Sequence, residues 1–383
     1  MKTERGSKIV SLDPGMSLYL DLVRLLAALS VFGFHLGYGK LIGAPFSILH
    51  VFGSNAVVVF FVLSGFVISH VLSTGETSAR TYALARMSRL YSVAVPALLL
   101  TLVLDTLGTR ADPSLYQIPL TLHAFVADVF FINAQWNRGD AFGSMVAYWS
   151  LGFEAWYYIA AGLFVFCRGY GRIVWPLLAL LFVGPNVAAL LPAWLVGAAL
   201  YRLRGYLRPN ALLGTLLFSL PIIAFFVARH KGLFEPIAAG IEGPNNLHQL
   251  AIIYGSALLF ATHLAGAQML SSWLARAIMP IGKAIRWAAG ASFTLYLVHV
   301  PLAFFIVSHD PWQITDWRSK MLIIVGTLSG ALLVAEISER RKAVWRRLFE
   351  QLLPGASDRG AKTRPIPDHG MVAAFDGSVV DRP

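Results

Sequence analysis

The sequence predicts an all-α polytopic membrane protein, and three observations predict it. Hydrophobic residues make up 57% of the 383 and charged residues 13%, against about 45–50% and about 25% in soluble domains. Apolar runs recur along the chain, many near the roughly 20 residues that a helix needs to cross the hydrocarbon core. Positive residues fall in alternate loops, as cytoplasmic loops do. The net charge of +11 then reflects those loops. No basic, aromatic-interleaved soluble segment is present, so nucleic-acid binding is set aside.

About ten spans are expected, near 17–37, 52–73, 86–107, 145–167, 173–190, 191–203, 211–229, 248–266, 288–308 and 320–338. The pair 173–203 reads as a tight hairpin. Its "GPNVAALLP" (184–192) is either the turn or part of a short, broken span. Segment 117–133 carries His123 and Asp128. It is short and polar for a span and is expected to be re-entrant or interfacial.

Lys2, Arg5 and Lys8 precede the first run, which reads as a retained span rather than a cleaved signal. With the N-terminus inside, Arg80, Arg168, Arg172, Arg202, Arg204, Arg208, Arg276, Lys283, Arg286 and the cluster Arg340–Arg347 all fall inside. Outer loops hold fewer positive residues, among them Lys40, Arg110, Arg138 and Arg229. Residues 1–350 form the membrane domain in this reading. Residues 351–383, polar and rich in Pro and Gly, form a disordered cytoplasmic tail. A single cysteine, Cys167, excludes an intrachain disulfide or a cysteine zinc site.

The first span, "LYLDLVRLLAALSVFGFHL" (18–36), carries Asp21, Arg24 and His35. Charged groups inside a span are costly and usually functional. Eleven residues separate Arg24 from His35, which is about 20° past three full turns, so they share a face about 16 Å apart along the axis. Asp21 sits three residues before Arg24, where the two can pair. Arg24 then lies towards the cytosol and His35 towards the outer surface. Imidazole titrates near neutral pH, so His35 is the candidate general base. His50, His70 and His263 read as interfacial or structural.

More stretches align with that span. They are "FFVLSGFVIS" (60–69), "RMSRLYSVAVP" (86–96), "WSLGFEAWYYI" (149–159) and "ASFTLYLVHVPL" (291–302). Together, in this order, they resemble the acyltransferase-3 family, multi-span enzymes of the bacterial inner membrane. The resemblance implies transfer of an acyl group, most often acetyl, from acyl-CoA to an extracytoplasmic or lipid-linked glycan. It implies catalytic roles for His35, Glu154, Tyr296 and His299, and donor binding by Arg24, Arg86 and Arg89.

Two departures from the family pattern bear on subfamily and substrate. "SNAVVVFF" (54–61) lacks an acid before the paired Phe, and Glu154 is followed by Ala155 rather than a second acid.

The expected chemistry is transfer from a thioester to an alcohol. His35 either removes the alcohol's proton or is itself acylated and passes the group on. Glu154 is expected to hold the imidazole tautomer. Tyr296, Ser64 and His299 are candidate oxyanion donors. Plainer readings stand beside these: an ion pair for Glu154, a satisfied interhelical histidine for His299, close packing for Ser64–Gly65 and charge anchoring for Arg86.

No metal is expected, since His35 has no histidine at metal spacing. The expected partners are a carbohydrate or glycolipid acceptor and membrane lipids; oligomeric state is left open. The pattern "HAFVAD" (123–128) also fits the short His-x4-Asp pattern of glycerolipid acyltransferases, but only two positions are specified and nothing else of that family is evident, so the match is put down to chance. The rival function is a transporter or flippase of a glycan or lipid intermediate, which also buries Arg, Glu and His. The inverted repeats common in transporters are not visible.

Overall fold

A computed structural model describes residues 12–37, 41–43, 50–76, 78–137, 141–234 and 246–352, with the side chains of 50–52 and 54 outside that set. Lys2, Arg5, Lys8, Lys40, Arg138 and the tail from 353 lie outside it too. Among the described residues the chain is helical, with no strand.

The helices are α1 (Pro14–Leu36), α2 (His50–Thr74), α3 (Ala79–Ala111), α4 (Leu122–Val129), α5 (Trp149–Phe166), α6 (Gly171–Val183) and α7 (Pro185–Leu203). There follow α8 (Ala211–His230), α9 (Leu247–Met269), α10 (Ser271–Ile278), α11 (Gly282–Ala289), α12 (Ser292–Ser308), α13 (Trp317–Ile337) and α14 (Lys342–Leu352). Side-chain caps start many of them. Asp13 accepts from the amides of Gly15 and Met16 ahead of α1, and Asn210, Asn246 and Asp316 cap α8, α9 and α13. Such caps satisfy amides that the first turn leaves unpaired.

Seven helical stretches among the described residues are long and apolar enough to cross a membrane, or eight if the bent run α10 to α12 is one span. The expected count of ten is therefore not reached. The shortfall has a physical cause. At 13 residues, α6 reaches only about 20 Å, short of a core about 30 Å thick. The 18 residues of α5 carry Glu154, two Trp and two Tyr. The hairpin turn lies at Gly184 (φ 95°) and Pro185, so most of "GPNVAALLP" is helix rather than turn.

Segment 117–133 forms the eight-residue α4 followed by a break, too short to span. Its terminal carbonyls find donors on neighbouring helices. Tyr148 donates to the Asp128 carbonyl at 2.7 Å, Tyr91 to Val129 at 3.0 Å and Trp156 Nε1 to Phe131 at 2.9 Å. Irregular backbone at membrane depth needs such partners. His123 is exposed and Asp128 fully buried.

The tightest helix contact is between α2 and α7. A Cβ on Gly65 would stand 1.9 Å from the Trp194 carbonyl oxygen, and one on Gly197 would stand 1.9 Å from that of Val62. Small residues bring backbones together where lipid supplies no hydrophobic drive. Gly65 is thus a packing residue. Gly197→Ala is expected to cost about 1–3 kcal/mol by overpacking, seen as a lowered thermal midpoint in detergent.

At the end of the bundle where α1 begins, the amphipathic helices α10, α11 and α14 gather. Gly15 abuts the Ser271 carbonyl, and Phe349 of α14 packs against Tyr91 of α3, ring centroids 5.5 Å apart. Arg340 lies over the Trp287 ring at 4.8 Å. Helices with one apolar and one basic face suit a membrane interface.

Candidate active site

Five helices, α1, α2, α3, α5 and α12, enclose a narrow cavity of about 40 Å³ inside the bundle. Arg24, Arg89, Glu154, Tyr296 and the hydroxyls of Ser64, Ser150 and Ser292 face it, with Phe60, Phe61 and Phe293 between them. That volume holds only a few waters.

Arg24 is almost fully buried. Its Nη2 lies 3.3 Å from Asp21 Oδ1 and donates to the Ala289 carbonyl at 2.8 Å. The Asp21–Arg24 pair expected from spacing therefore forms, with Asp21 fully buried. Pairing offsets much of what each charge would lose on leaving water. Glu154 and Glu339 add further attraction to Arg24. Arg89 reaches the same cavity from α3, its guanidinium 5.8 Å from the Phe293 ring centroid.

Glu339 comes from beyond α13. It accepts from the Thr294 amide at 2.9 Å and the Thr294 hydroxyl at 3.1 Å, at the start of α12. A carboxylate there satisfies a first-turn amide and faces the positive end of the helix. Its charge also attracts Arg24 and Arg89.

Arg86 stands apart from the cavity. It pairs with Glu76 Oε1 at 2.7 Å and lies 5.7 Å from the ring centroids of both Tyr82 and Tyr158. Its geometry clasps the α2–α3 connection. The Glu154 carboxylate accepts from the Tyr158 hydroxyl, one turn on, and faces the cavity.

The tautomer of His35 is set elsewhere. His35 Nδ1 lies 2.9 Å from the Val31 carbonyl, and His299 Nδ1 lies 2.9 Å from the Leu295 carbonyl. Both carbonyls require N–H donors. His299 Nε2 is 2.9 Å from His35 Nδ1. The consistent neutral assignment, inferred from these contacts, gives each ring its proton at Nδ1. His35 then shares its N–H between Val31 and His299 Nε2, and its lone pair sits on Nε2. In this state His299 accepts from His35.

The two rings lie 4.7 Å apart, with Phe32 edge-on to His299 and Phe34 edge-on to His35. Beyond them Phe32 and Leu36 pack with Leu41, Ile42, Ala303 and Ile323, towards the opposite end of the bundle from α10 and α11.

Tyr296 joins the two regions. It sits one turn before His299 on α12, donates to or accepts from Ser150 Oγ at 2.7 Å, and lines the cavity. Its ring centroid is 6.4 Å from that of His299 and 5.4 Å from that of Phe60. Ser64 accepts from Trp194 Nε1 at 3.1 Å.

The structure thus brings together Arg24, Arg89, Glu154 and Tyr296 at the cavity, and His35 with His299 beyond Tyr296. Sequence reasoning missed Ser150, Ser292 and Glu339. The first two lie inside the quoted motifs, next to residues that were singled out. Glu339 lies in "SERRK" (338–342), where neighbouring positive charges suggest a loop. His70 and His263 are structural: they contact the hydroxyls of Tyr201 at 3.1 Å and Tyr19 at 2.5 Å.

No curated protein and no solved structure matches the chain. A family model described as an acyltransferase domain matches residues 17–336. That range runs from the first residues of α1 to the last turn of α13 and takes in every residue that lines the cavity, while Glu339 lies just beyond it. With most of an apolar, helix-built chain covered, the protein belongs to the acyltransferase-3 family and is a membrane acyltransferase.

Proposed function

We propose that the protein moves an acyl group, acetyl by default, from cytosolic acyl-CoA to a hydroxyl of a cell-envelope or exported carbohydrate. The acceptor classes are lipopolysaccharide, exopolysaccharide and lipid-linked glycan. The observation that carries this reading is the His35–His299 pair, one turn of α12 beyond a cavity that holds two arginines. The basic end with α10, α11 and α14 faces the cytosol of a bacterial inner membrane, with both termini on that side.

The donor enters from the basic end. Arg89 and Arg24 attract its phosphates, and the acyl-pantetheine arm extends towards Tyr296. The cavity is too narrow for that arm as it stands, so Phe60, Phe293 and Tyr296 must shift. The sugar hydroxyl approaches from the other end and gives its proton to His35 Nε2. Its oxygen attacks the thioester carbonyl, and the Tyr296 hydroxyl, released from Ser150, donates to the developing oxyanion. Collapse breaks the carbon–sulfur bond, and His35 returns the proton to the departing thiolate. Throughout, the His35 Nδ1–H points at His299 Nε2, which holds the ring in its productive orientation.

Free CoA released only when acceptor is present is the measurement that tests the reading. A thiol reagent added to the purified protein with acetyl-CoA and surface glycan should show it. CoA release that ignores the acceptor, or none, would sink the proposal. Arg89→Ala is expected to raise the KM for acyl-CoA by about tenfold, a typical loss of one charge-assisted contact, while changing kcat little. An unchanged KM would remove Arg89 from donor binding.

A further inference from the structure

On the other side of α1 from Arg24 lies a second, larger cavity of about 390 Å³. That size falls within the range of small-molecule sites. Its walls are Tyr19, Val23 and Ala27 of α1, Ala56 and Val59 of α2, and the aromatic rings of α8 and α9. The α8 wall belongs to the least buried of the spans, at 11%, and the rim residues Leu26, Ile222 and Phe226 are exposed. In a bilayer this rim meets lipid.

The polar groups in the cavity are already satisfied from within the protein. Tyr19 donates to His263 Nε2 at 2.5 Å, and His263 Nδ1 donates to the Phe218 carbonyl at 2.7 Å. Ser256 donates to Asn55 Oδ1 at 3.0 Å and Ser30 to the Leu26 carbonyl at 2.8 Å. Among the described residues no Lys or Arg lines the cavity. The chemistry on offer is apolar contact, which suits a hydrocarbon chain and not a headgroup.

The cavity's extent gives the chain a direction. Along α1 it runs from Tyr19 to Ser30, about 16 Å, or roughly half the hydrocarbon core. Its Ser30 and Asn55 end points towards His35, only five residues further along α1. A lipid with its tail in the slot would present its head at the histidine end.

We propose that this slot holds the hydrocarbon tail of the acceptor, which makes the acceptor a lipid-linked carbohydrate. This rests on the acyl-transfer reading above. The tail enters sideways from the bilayer between α1 and α8, and the sugar it carries reaches His35.

Val59→Phe and Ser30→Phe test this by filling the slot from two walls at partly exposed positions. The full chain in nanodiscs is irradiated with a phospholipid carrying a diazirine at mid-chain. Crosslinks on α8 and α9 residues of the slot should appear in the native protein and fall in both variants. The glycolipid fraction of cells that make the protein then serves as acceptor, before and after mild acid removes the lipid. The variants should raise the KM for the intact fraction about tenfold, the worth of burying two methylenes, and leave the KM for the delipidated glycan unchanged.

Crosslinks spread evenly around the bundle and unchanged in both variants would overturn the slot. Lost crosslinks with an unchanged KM would overturn its assignment to the acceptor. If the native protein transfers no acyl group, the functional reading fails, and the crosslinks still decide whether the slot holds a chain.

Discussion

His35→Gln is expected to lower acyl transfer by about 10²–10⁴-fold, the usual worth of a positioned base. Glutamine keeps a polar side chain that can reach the Val31 carbonyl, but its amide accepts no proton near neutral pH. Acyl-CoA binding should persist, because the guanidinium of Arg24 lies about 16 Å away along the same helix. Equilibrium binding of acetyl-CoA to the purified variant, beside its turnover, separates the two effects. Unchanged turnover would remove His35 from the chemistry. Loss of binding together with turnover would show that the variant perturbs the bundle as a whole.

The partner histidine sharpens this test. His299 touches no reacting atom in the proposed mechanism; it acts through His35. His299→Gln keeps an acceptor near the His35 Nδ1–H, whereas His299→Leu removes it. A positioning role predicts that kcat falls in the leucine variant and recovers at least in part in the glutamine variant, with the KM for donor unchanged in both. A purely structural histidine would give equal losses of folded protein and no rescue of kcat.

Local pattern made much of this visible in advance. The face shared by Arg24 and His35 follows from helical spacing in one short stretch, and so does the Asp21–Arg24 pair. The short α4 was legible because two polar side chains and a lack of length argued against a span. What local pattern could not supply were contacts made across the chain. His299 meets His35 over 264 residues of sequence, and Glu339 meets Thr294 from beyond the last long helix. A carboxylate was expected to orient the imidazole by analogy with a triad. In the folded chain a backbone carbonyl and a second imidazole do so, and Glu154 is held by Tyr158. The span count missed for a related reason. Apolar runs show in the sequence but helix ends do not: α6 is apolar yet stops after 13 residues, and α5 mixes Glu154, two Trp and two Tyr into its 18.

Asp21 and Arg24 set up the largest expected effect on stability. Both are buried, and each is the other's ion-pair partner. Removing one member of a buried pair typically costs about 3–5 kcal/mol, because the survivor is left as an uncompensated charge. The two members are not equivalent here. A guanidinium stays charged under all conditions a protein meets, whereas a carboxylate stranded in an apolar place can take up a proton. Asp21→Ala should therefore lower the thermal midpoint more than Arg24→Met does. Attraction from Glu339 and Glu154 should keep the loss towards the lower end of that range. Combining the two substitutions should recover most of the lost stability, since no lone charge remains and Met fills part of the arginine's volume. Thermal unfolding of the two single variants and the double variant, read as a cycle, checks this. A double variant as unstable as the sum of the singles would mean that the pair is not coupled. A double variant that is stable yet binds acyl-CoA poorly would show that Arg24 is held in the bundle for its ligand rather than for the fold.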